Sequence, residues 1–368
     1  MISNRVKQLS MIALACTMSS IIVSCKDKSV DVASGPNAPS APYPQANATL
    51  QSVAPTLKWT CNPPAGEALT FDVYFGTTNP PTTLIANNVS QTSVVKTGLG
   101  NLTVYYWQVV VKNSKGATTS GPVWQFTTGI AGMVAVQGGT FQMGTTTLDS
   151  YETPVHLVNL SDYFIGKCEV TQKEWRDIVV WKQGSAITPL NPSPSTLKGD
   201  SLPVANVSWD NIQTWLGYLN EKEGVTSAQK KYRLPTEAEW EFAARGGNNS
   251  KGYTYSGSNV REDVAWTNTN ADGRIHGVGL KTPNELGIYD MSGNAYEWTN
   301  DYAGSYTASV QSDPTGPSSG SYRIVRGGGW FGWGSVYYRD YEAPNVQRPT
   351  VGSGPANDFY GFRYARQQ

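Results

Sequence analysis

Histidine is almost absent: His156 and His276 are the only two in 368 residues. Zinc and non-haem iron centres draw on several imidazoles, and these two stand in unrelated motifs, which argues against a histidine-built metal site. Cysteine is nearly as scarce, with four in all. Cys16 and Cys25 fall near the N-terminus, which leaves Cys61 and Cys168 in distant parts of the chain. Each sits in an apolar, strand-like run, Leu57-Lys-Trp-Thr-Cys61 and Tyr163-Phe-Ile-Gly-Lys-Cys168. A small buried hydrophobe is the expectation there, rather than a disulfide or a redox pair. Charge is low, at 15% of residues, and balanced, with 28 basic against 28 acidic side chains. No net field exists to gather nucleic acid. The chain has no phosphate-binding loop, so a kinase reading lacks support.

Aromatic residues are plentiful, with 12 tryptophans and 20 tyrosines. Flat amphipathic rings on a weakly charged chain suit an extracytoplasmic protein with a peptide, protein or glycan partner. Residues 1–25 read as a leader. Arg5 and Lys7 precede the apolar run Leu9 to Val23, which is too short and too weakly flanked for a stable membrane span, and Ile22-Val-Ser-Cys25 closes it. This ending resembles a bacterial lipobox, which implies lipidation at Cys25, a membrane anchor without a transmembrane helix, and a place in the cell envelope, periplasmic or at the cell surface. Residues 26–37 form a flexible linker; the chain stays poor in large apolar residues as far as about Ala54 and reads as a tether.

The next unit, residues 38–129, alternates. Leu57 and Trp59, then Phe71, Val73 and Phe75, then Tyr105, Trp107, Val109 and Val111 each recur at every second position, the signature of strands with one buried face. Asn113-Ser-Lys-Gly116 is a hairpin turn. With no amphipathic helix between these runs, an all-β sandwich is expected. Asp72-Val-Tyr-Phe-Gly76, Tyr105-Tyr-Trp107 and Val123-Trp-Gln-Phe126 resemble a fibronectin type III module, and such modules commonly act as spacers.

Residues 130–368 mix short strands with three helix starts. Thr171-Gln-Lys-Glu174 and Thr236-Glu-Ala-Glu239 are capping boxes, and Ser208 caps a third helix with an apolar stripe at Ile212, Trp215, Leu216 and Leu219. Beyond Gly247 the chain is rich in Gly, Asn, Ser and Pro, and no helical pattern is expected. Long loops need other support. Trp240, Trp266, Trp298, Trp330 and Trp333 can bury large areas, and Arg233, Arg326 and Arg363 can satisfy buried carbonyls and carboxylates. Asp290 and Glu297, on either side of the Gly293 and Ala295 carbonyls, offer the hard oxygen ligands that calcium prefers; the same carboxylates could instead bind loop amides or an arginine. Asn268-Thr-Asn-Ala-Asp-Gly273 opens like an EF-hand loop but has Gly279 where the bidentate glutamate should stand, and reads as a turn.

Three motifs in order, Tyr232-Arg-Leu-Pro-Thr-Glu-Ala-Glu-Trp-Glu241, Asn284-Glu-Leu-Gly-Ile-Tyr-Asp-Met-Ser-Gly-Asn-Ala-Tyr-Glu-Trp298, and Arg323-Ile-Val-Arg-Gly-Gly-Gly-Trp330 with Tyr360-Gly-Phe-Arg-Tyr-Ala-Arg366, resemble the formylglycine-generating enzyme (sulfatase-modifying factor) family. The likeness runs from about Met133 to Arg366. It implies an α+β class with an irregular, C-type-lectin-like fold behind the N-terminal sandwich. It also implies a calcium site at Asp290, Gly293, Ala295 and Glu297, and a structural place for His156. Working members oxidise a sulfatase cysteine with two copper(I)-binding cysteines, and the matching positions here are Gly332 and Tyr337. The family's neighbouring serine is Gly329, and the first aromatic of its Trp-Glu-Trp is Tyr296; Arg339 still matches. Without thiolates to select copper(I), the expectation is a non-catalytic binding or envelope-assembly scaffold with no catalytic residues and no copper. Its ligand cleft is expected at Tyr296, Trp330, Trp333, Tyr337, Tyr338 and Arg339. Two alternatives stay open: a sulfatase-modifying or other oxidoreductase on the same fold, with Cys168 as a thiol that could approach the cleft, and a glycosidase-like pair among Asp340, Glu342 and Asp358.

Overall fold

The computed structural model describes residues 35–63, 67–146, 150–184, 189–332, 334–342 and 359–368. The leader with Cys25, most of the linker, Trp333 and Asp358 lie outside the described residues.

Nine strands fill the first part: β1 (Ser40–Tyr43), β2 (Ala48–Gln51), β3 (Thr56–Thr60), β4 (Leu69–Gly76), β5 (Thr83–Val89), β6 (Ser93–Val95), β7 (Val104–Asn113), β8 (Thr118–Ser120) and β9 (Trp124–Thr128). One sheet runs β1-β3-β6; the other runs β2-β9-β7-β4-β5, with β8 also pairing β7. The alternating residues make a single core. Leu57 and Trp59 come from the first sheet and meet Phe71, Val73, Trp107, Val109, Val111 and Phe126 from the second. Trp59 packs edge-on to Phe71 at 5.4 Å, and Trp107 lies 4.7 Å from Trp124. The turn after β7 closes as its sequence implies: the Asn113 side chain accepts from the amides of Lys115 and Ala117, and Gly116 takes a positive φ.

Two details differ from the sequence reading. β1 and β2 lie inside the stretch whose composition suggested a tether to Ala54. They are short, the β1–β3 and β2–β9 pairings shift register, and Ala41 and Leu50 have positive φ, so they carry no period-two signal. Asp72, on the face opposite Phe71 and Val73, is buried too, held by Lys112 Nζ at 2.6 Å and by the Asn88 amide at 2.8 Å.

The second part contains β10 (Met133–Val136), β11 (Gly139–Met143), β12 (His156–Leu160), β13 (Tyr163–Gly166), β14 (Tyr296–Tyr302), β15 (Gln311–Ser312), β16 (Arg323–Arg326), β17 (Arg339–Glu342), β18 (Tyr360–Gly361) and β19 (Ala365–Gln367). Three small sheets result, ordered β10-β13-β19, β11-β12-β15 and β17-β16-β14-β18. The helices are α1 (Gln172–Gln183), α2 (Trp209–Lys222), α3 (Glu237–Ala244) and α4 (Arg261–Val264). α1 and α3 begin with complete capping boxes, and Ser208 caps α2. The apolar stripe of α2 is buried, and Trp215 stacks on Trp175 of α1 at 5.9 Å with Phe362 edge-on to both rings. The one-turn α4 appears where no helix was expected; four residues are too few to show a period.

α3 organises what surrounds it. All eight of its residues are buried, three of them glutamates. Glu237 pairs with Arg339, Glu239 with Arg233 at 2.7 Å, and Glu241 with both Arg326 and Arg245. Burial alone would raise Glu241, but Arg326 and Arg245 outweigh it and hold the carboxyl below its usual range. Arg326 then spans to the carbonyls of Val336, Tyr337 and Tyr338, so one guanidinium joins α3 to the segment ahead of β17. Trp240 reaches across to Glu297 of β14 at 2.9 Å, and that glutamate takes a bidentate pair from Arg363. Gly327, at φ +86°, is needed because a Cβ there would stand 3.1 Å from the Trp240 ring.

Arg326→Met should cost about 3–5 kcal/mol of folding stability, because it leaves Glu241 short of a partner in a buried site and frees three carbonyls. Urea unfolding of the two proteins measures this, and a change below about 1 kcal/mol would show that the pair is not structural.

Candidate functional site

The segment Gly327 to Arg339 lies between β16 and β17 and faces β14. Tyr296, at the head of β14, is buried, and its ring contacts Phe331 (5.6 Å), Tyr360 (5.7 Å) and Tyr338 (6.1 Å). Its hydroxyl lies 3.4 Å from the Tyr338 hydroxyl. Burial, then the bond to Tyr338, pushes the Tyr296 phenol far above its ordinary range, so it stays protonated.

Two of the segment's glycines, Gly329 and Gly332, lie against that ring and its hydroxyl. A Cβ on Gly329 would stand 3.0 Å from the Tyr296 ring and 3.2 Å from Phe331; one on Gly332 would stand 3.3 Å from the Tyr296 hydroxyl oxygen. Rings crowd the space where a side chain at 329 would project, and the Tyr296 hydroxyl borders that at 332. Tyr337, the other substituted position, is half-buried against the apolar cluster around α3.

The six cleft residues named from sequence do not form one surface. Tyr337, Tyr338 and Arg339 line a cavity of about 520 Å³ together with Tyr151, Glu152, Thr254, Tyr255 and Asp340. Tyr296 is a correction, since it sits behind Tyr338 as core. Trp330 is a second: it is buried against Ala205, Ala271, Ile275 and Ala295 and stacks on Phe359 at 5.7 Å. Arg339 does line the cavity, with its guanidinium committed to structure. It holds Glu237 through Nε at 2.7 Å and donates to the carbonyls of Tyr151 (3.0 Å) and Gly304 (2.8 Å). Trp333 lies outside the described residues. Sequence reasoning missed Tyr151 and Tyr255, which come from loops far away in the chain and share no motif with the segment they face.

Cys168 does not join this cavity. It lines a separate pocket of about 260 Å³ with Lys167, Glu169, Thr171, Val278 and Tyr364. Burial first, then Asp290 and Glu169 against Arg363 and Lys167, pushes its thiol up to about 12, which leaves almost no thiolate near neutrality. Of the carboxylates raised as a hydrolytic pair, Asp340 lines the larger cavity, the Glu342 side chain is not described, and Asp358 lies outside the described residues.

The candidate calcium residues lie around the head of β14. Asp290 is buried at φ +56°; its Oδ2 accepts from the Gly279 amide at 2.6 Å, and its Oδ1 is buried with no partner. Glu297 has both oxygens engaged by Arg363, with Trp240 also on Oε2. A third carboxylate, Glu169, accepts from the Asn294 side chain and the Ala295 amide. Burial, reinforced by Asp290 and Glu297, lifts Glu169 well above its ordinary range; burial, with Glu297 adding and Gly279 and Arg363 opposing, puts Asp290 at about 6. Three buried carboxylates therefore act on one another beside one guanidinium. Among the described residues no group of three or more His, Cys, Asp or Glu side chains is arranged to hold a metal ion. An ion here would rest on Asp290 and backbone carbonyls and share Glu297 with Arg363.

Among the described residues no helix is long and apolar enough to cross a membrane. Residues 121–368 match the sulfatase-modifying factor enzyme 1-like domain. The chain is 34% identical to the chaperone protein LppX of Paenibacillus barcinonensis, over 54% of this chain and 78% of that one. It is 27% identical to a formylglycine-generating enzyme of Streptomyces coelicolor, over 64% of this chain and 88% of the enzyme. It also matches serine/threonine-protein kinases pkn1 of Chlamydia, spanning only 38% of their length. Among solved structures, Treponema denticola variable protein 1 superposes with a TM-score of 0.52 at 28% identity, over 67% of this chain and 96% of that one.

Proposed function

The chain belongs to the sulfatase-modifying factor enzyme 1-like domain family, and from that premise we propose that its C-terminal domain is a non-catalytic binding scaffold of the cell envelope rather than an oxidase. The observation that carries this reading is the packing of Tyr296 against Gly329 and Gly332. The positions at which the family resemblance puts a serine and a copper-binding cysteine have no side chain here; the Tyr296 and Phe331 rings crowd the first, and the Tyr296 hydroxyl stands close to the second. The other cysteine position, Tyr337, offers a phenol that cannot replace a soft thiolate ligand. Cys168 is protonated in another pocket and cannot substitute for either.

The cavity walled by Tyr151, Tyr255, Tyr337 and Tyr338 supplies the binding surface. Rings with hydroxyl tips, beside the carboxyl of Asp340, suit a peptide or glycan, whose apolar faces stack while its polar edges hydrogen-bond. Lipidation at Cys25 would hold the chain to a membrane, and the N-terminal β module, with its fibronectin-like motifs, would act as a spacer. The direct test exposes the purified protein to copper(I) and a Cys-x-Pro-x-Arg peptide under oxygen, with mass spectrometry of the product. The peptide should remain unmodified and copper should not bind stoichiometrically; formation of the aldehyde would replace this reading with the oxidase.

We further propose calcium as a structural ion at Asp290, with the Gly293 and Ala295 carbonyls and Glu297. The unpartnered Asp290 Oδ1 and the crowding of Glu169, Asp290 and Glu297 support it, since a hard divalent cation would relieve both. Millimolar calcium should raise the unfolding temperature over a chelated sample, and Asp290→Ala should remove that difference. An equal response in the variant would place the ion elsewhere.

A further inference from the structure

On the far side of Arg339 lies a second cavity, of about 330 Å³, walled by His156, Asp301, Tyr302, Tyr306, Arg339 and the loop that carries Pro314 and Pro317. Its charged groups are spent unevenly. The Arg339 guanidinium is shared among Glu237, the Tyr151 carbonyl and the Gly304 carbonyl, and Arg326 is bound to Glu241. The Tyr306 hydroxyl donates to Glu237 at 2.8 Å. Arg339, Arg326 and Tyr306 are thus engaged within the protein.

The acceptors are not. Asp301 is only 4% exposed; its Oδ2 accepts from the Glu237 amide at the start of α3, and no described residue reaches its Oδ1. His156 is 3% exposed and stacks beside Tyr306 at 4.8 Å. Its Nδ1 lies 3.1 Å from the Pro154 carbonyl, which can only accept, so Nδ1 carries the proton and Nε2 is left as an acceptor with no described partner. Capping α3 accounts for one oxygen of Asp301 and leaves the other without a role. We propose that this cavity binds a primary ammonium group, carried by a small amine or by a lysine side chain of a partner peptide, between Asp301 and His156. An ammonium brings three donors and a charge to Asp301 Oδ1 and His156 Nε2. Burial, with Glu237 and Glu239 adding and the Glu237 amide and Arg339 opposing, lifts Asp301 to about 8, and a bound cation would favour its ionised form. The inference does not depend on whether the domain has catalytic activity.

The test is calorimetric titration of the full chain with Nα-acetyl-lysine amide, its Nε-acetylated counterpart, ethylammonium and a short lysine-containing peptide. The charged forms should bind at millimolar concentrations or below, and acetylation of the amine should weaken binding about tenfold or more. Asp301→Asn should lose about tenfold; His156→Gln, checked like the first for a parental unfolding transition, should lose affinity as well and serves alone if Asp301→Asn does not fold. Ethylammonium binding that depends on these residues assigns a small amine, and binding of the peptide alone assigns a partner segment. Equal binding of the acetylated ligand, no binding of any amine, or parental affinity in both folded variants would each overturn the proposal. Such a failure would leave the Tyr337 cavity and its reading untouched.

Discussion

The C-terminal domain depends on the burial of α3 with three glutamates on it. An eight-residue helix with no solvent face cannot keep Glu237, Glu239 and Glu241 unless each meets a cation, and Arg339, Arg233 and Arg326 come from three different parts of the chain to meet them. Breaking any one pair leaves a charge in a dry site, a far larger penalty than losing a surface ion pair. Each arginine also carries spare donors to loop carbonyls, as Arg326 does for residues 336–338. This is how a domain with three small sheets and long irregular connections keeps one arrangement.

That constraint explains how the family's framework can persist with glycine at 329 and 332. Arg326, Trp240, Glu297 and Arg363 interlock beneath the cleft segment and make no use of the positions at Gly329 and Gly332. Side chains there could be lost without loosening the frame, and Tyr296, Phe331 and Tyr338 close over the space. Arg339 shows the same division from the other direction. It matches the family as a cleft residue, yet its work is to pair with Glu237 and to separate two cavities.

Much of this was legible in the sequence because it is local. The capping boxes at Thr171 and Thr236, the stripe of α2 and the alternation through β4 and β7 depend on spacing alone, and each lies where its pattern put it. β1 and β2 escaped notice because short strands with shifted register leave no period. The cleft was read only in part. Residues 330–339 are neighbours in sequence, but Trp330 turns into a core beside Ala295 while Tyr337 and Tyr338 turn to a cavity, and no spacing rule distinguishes them. Asp301 and His156 lie far apart in the chain and line one cavity only after β12, β14 and α3 assemble.

The central claim is that the cleft has been rebuilt around Tyr296 and does not merely lack two thiols. Copper(I) titration and thermal unfolding of a variant carrying Gly329→Ser, Gly332→Cys and Tyr337→Cys test it together. The packing of Tyr296 and Phe331 against Gly329, and of the Tyr296 hydroxyl against Gly332, predicts a lower unfolding temperature and no stoichiometric copper. A variant as stable as its parent that binds one copper tightly would contradict the account.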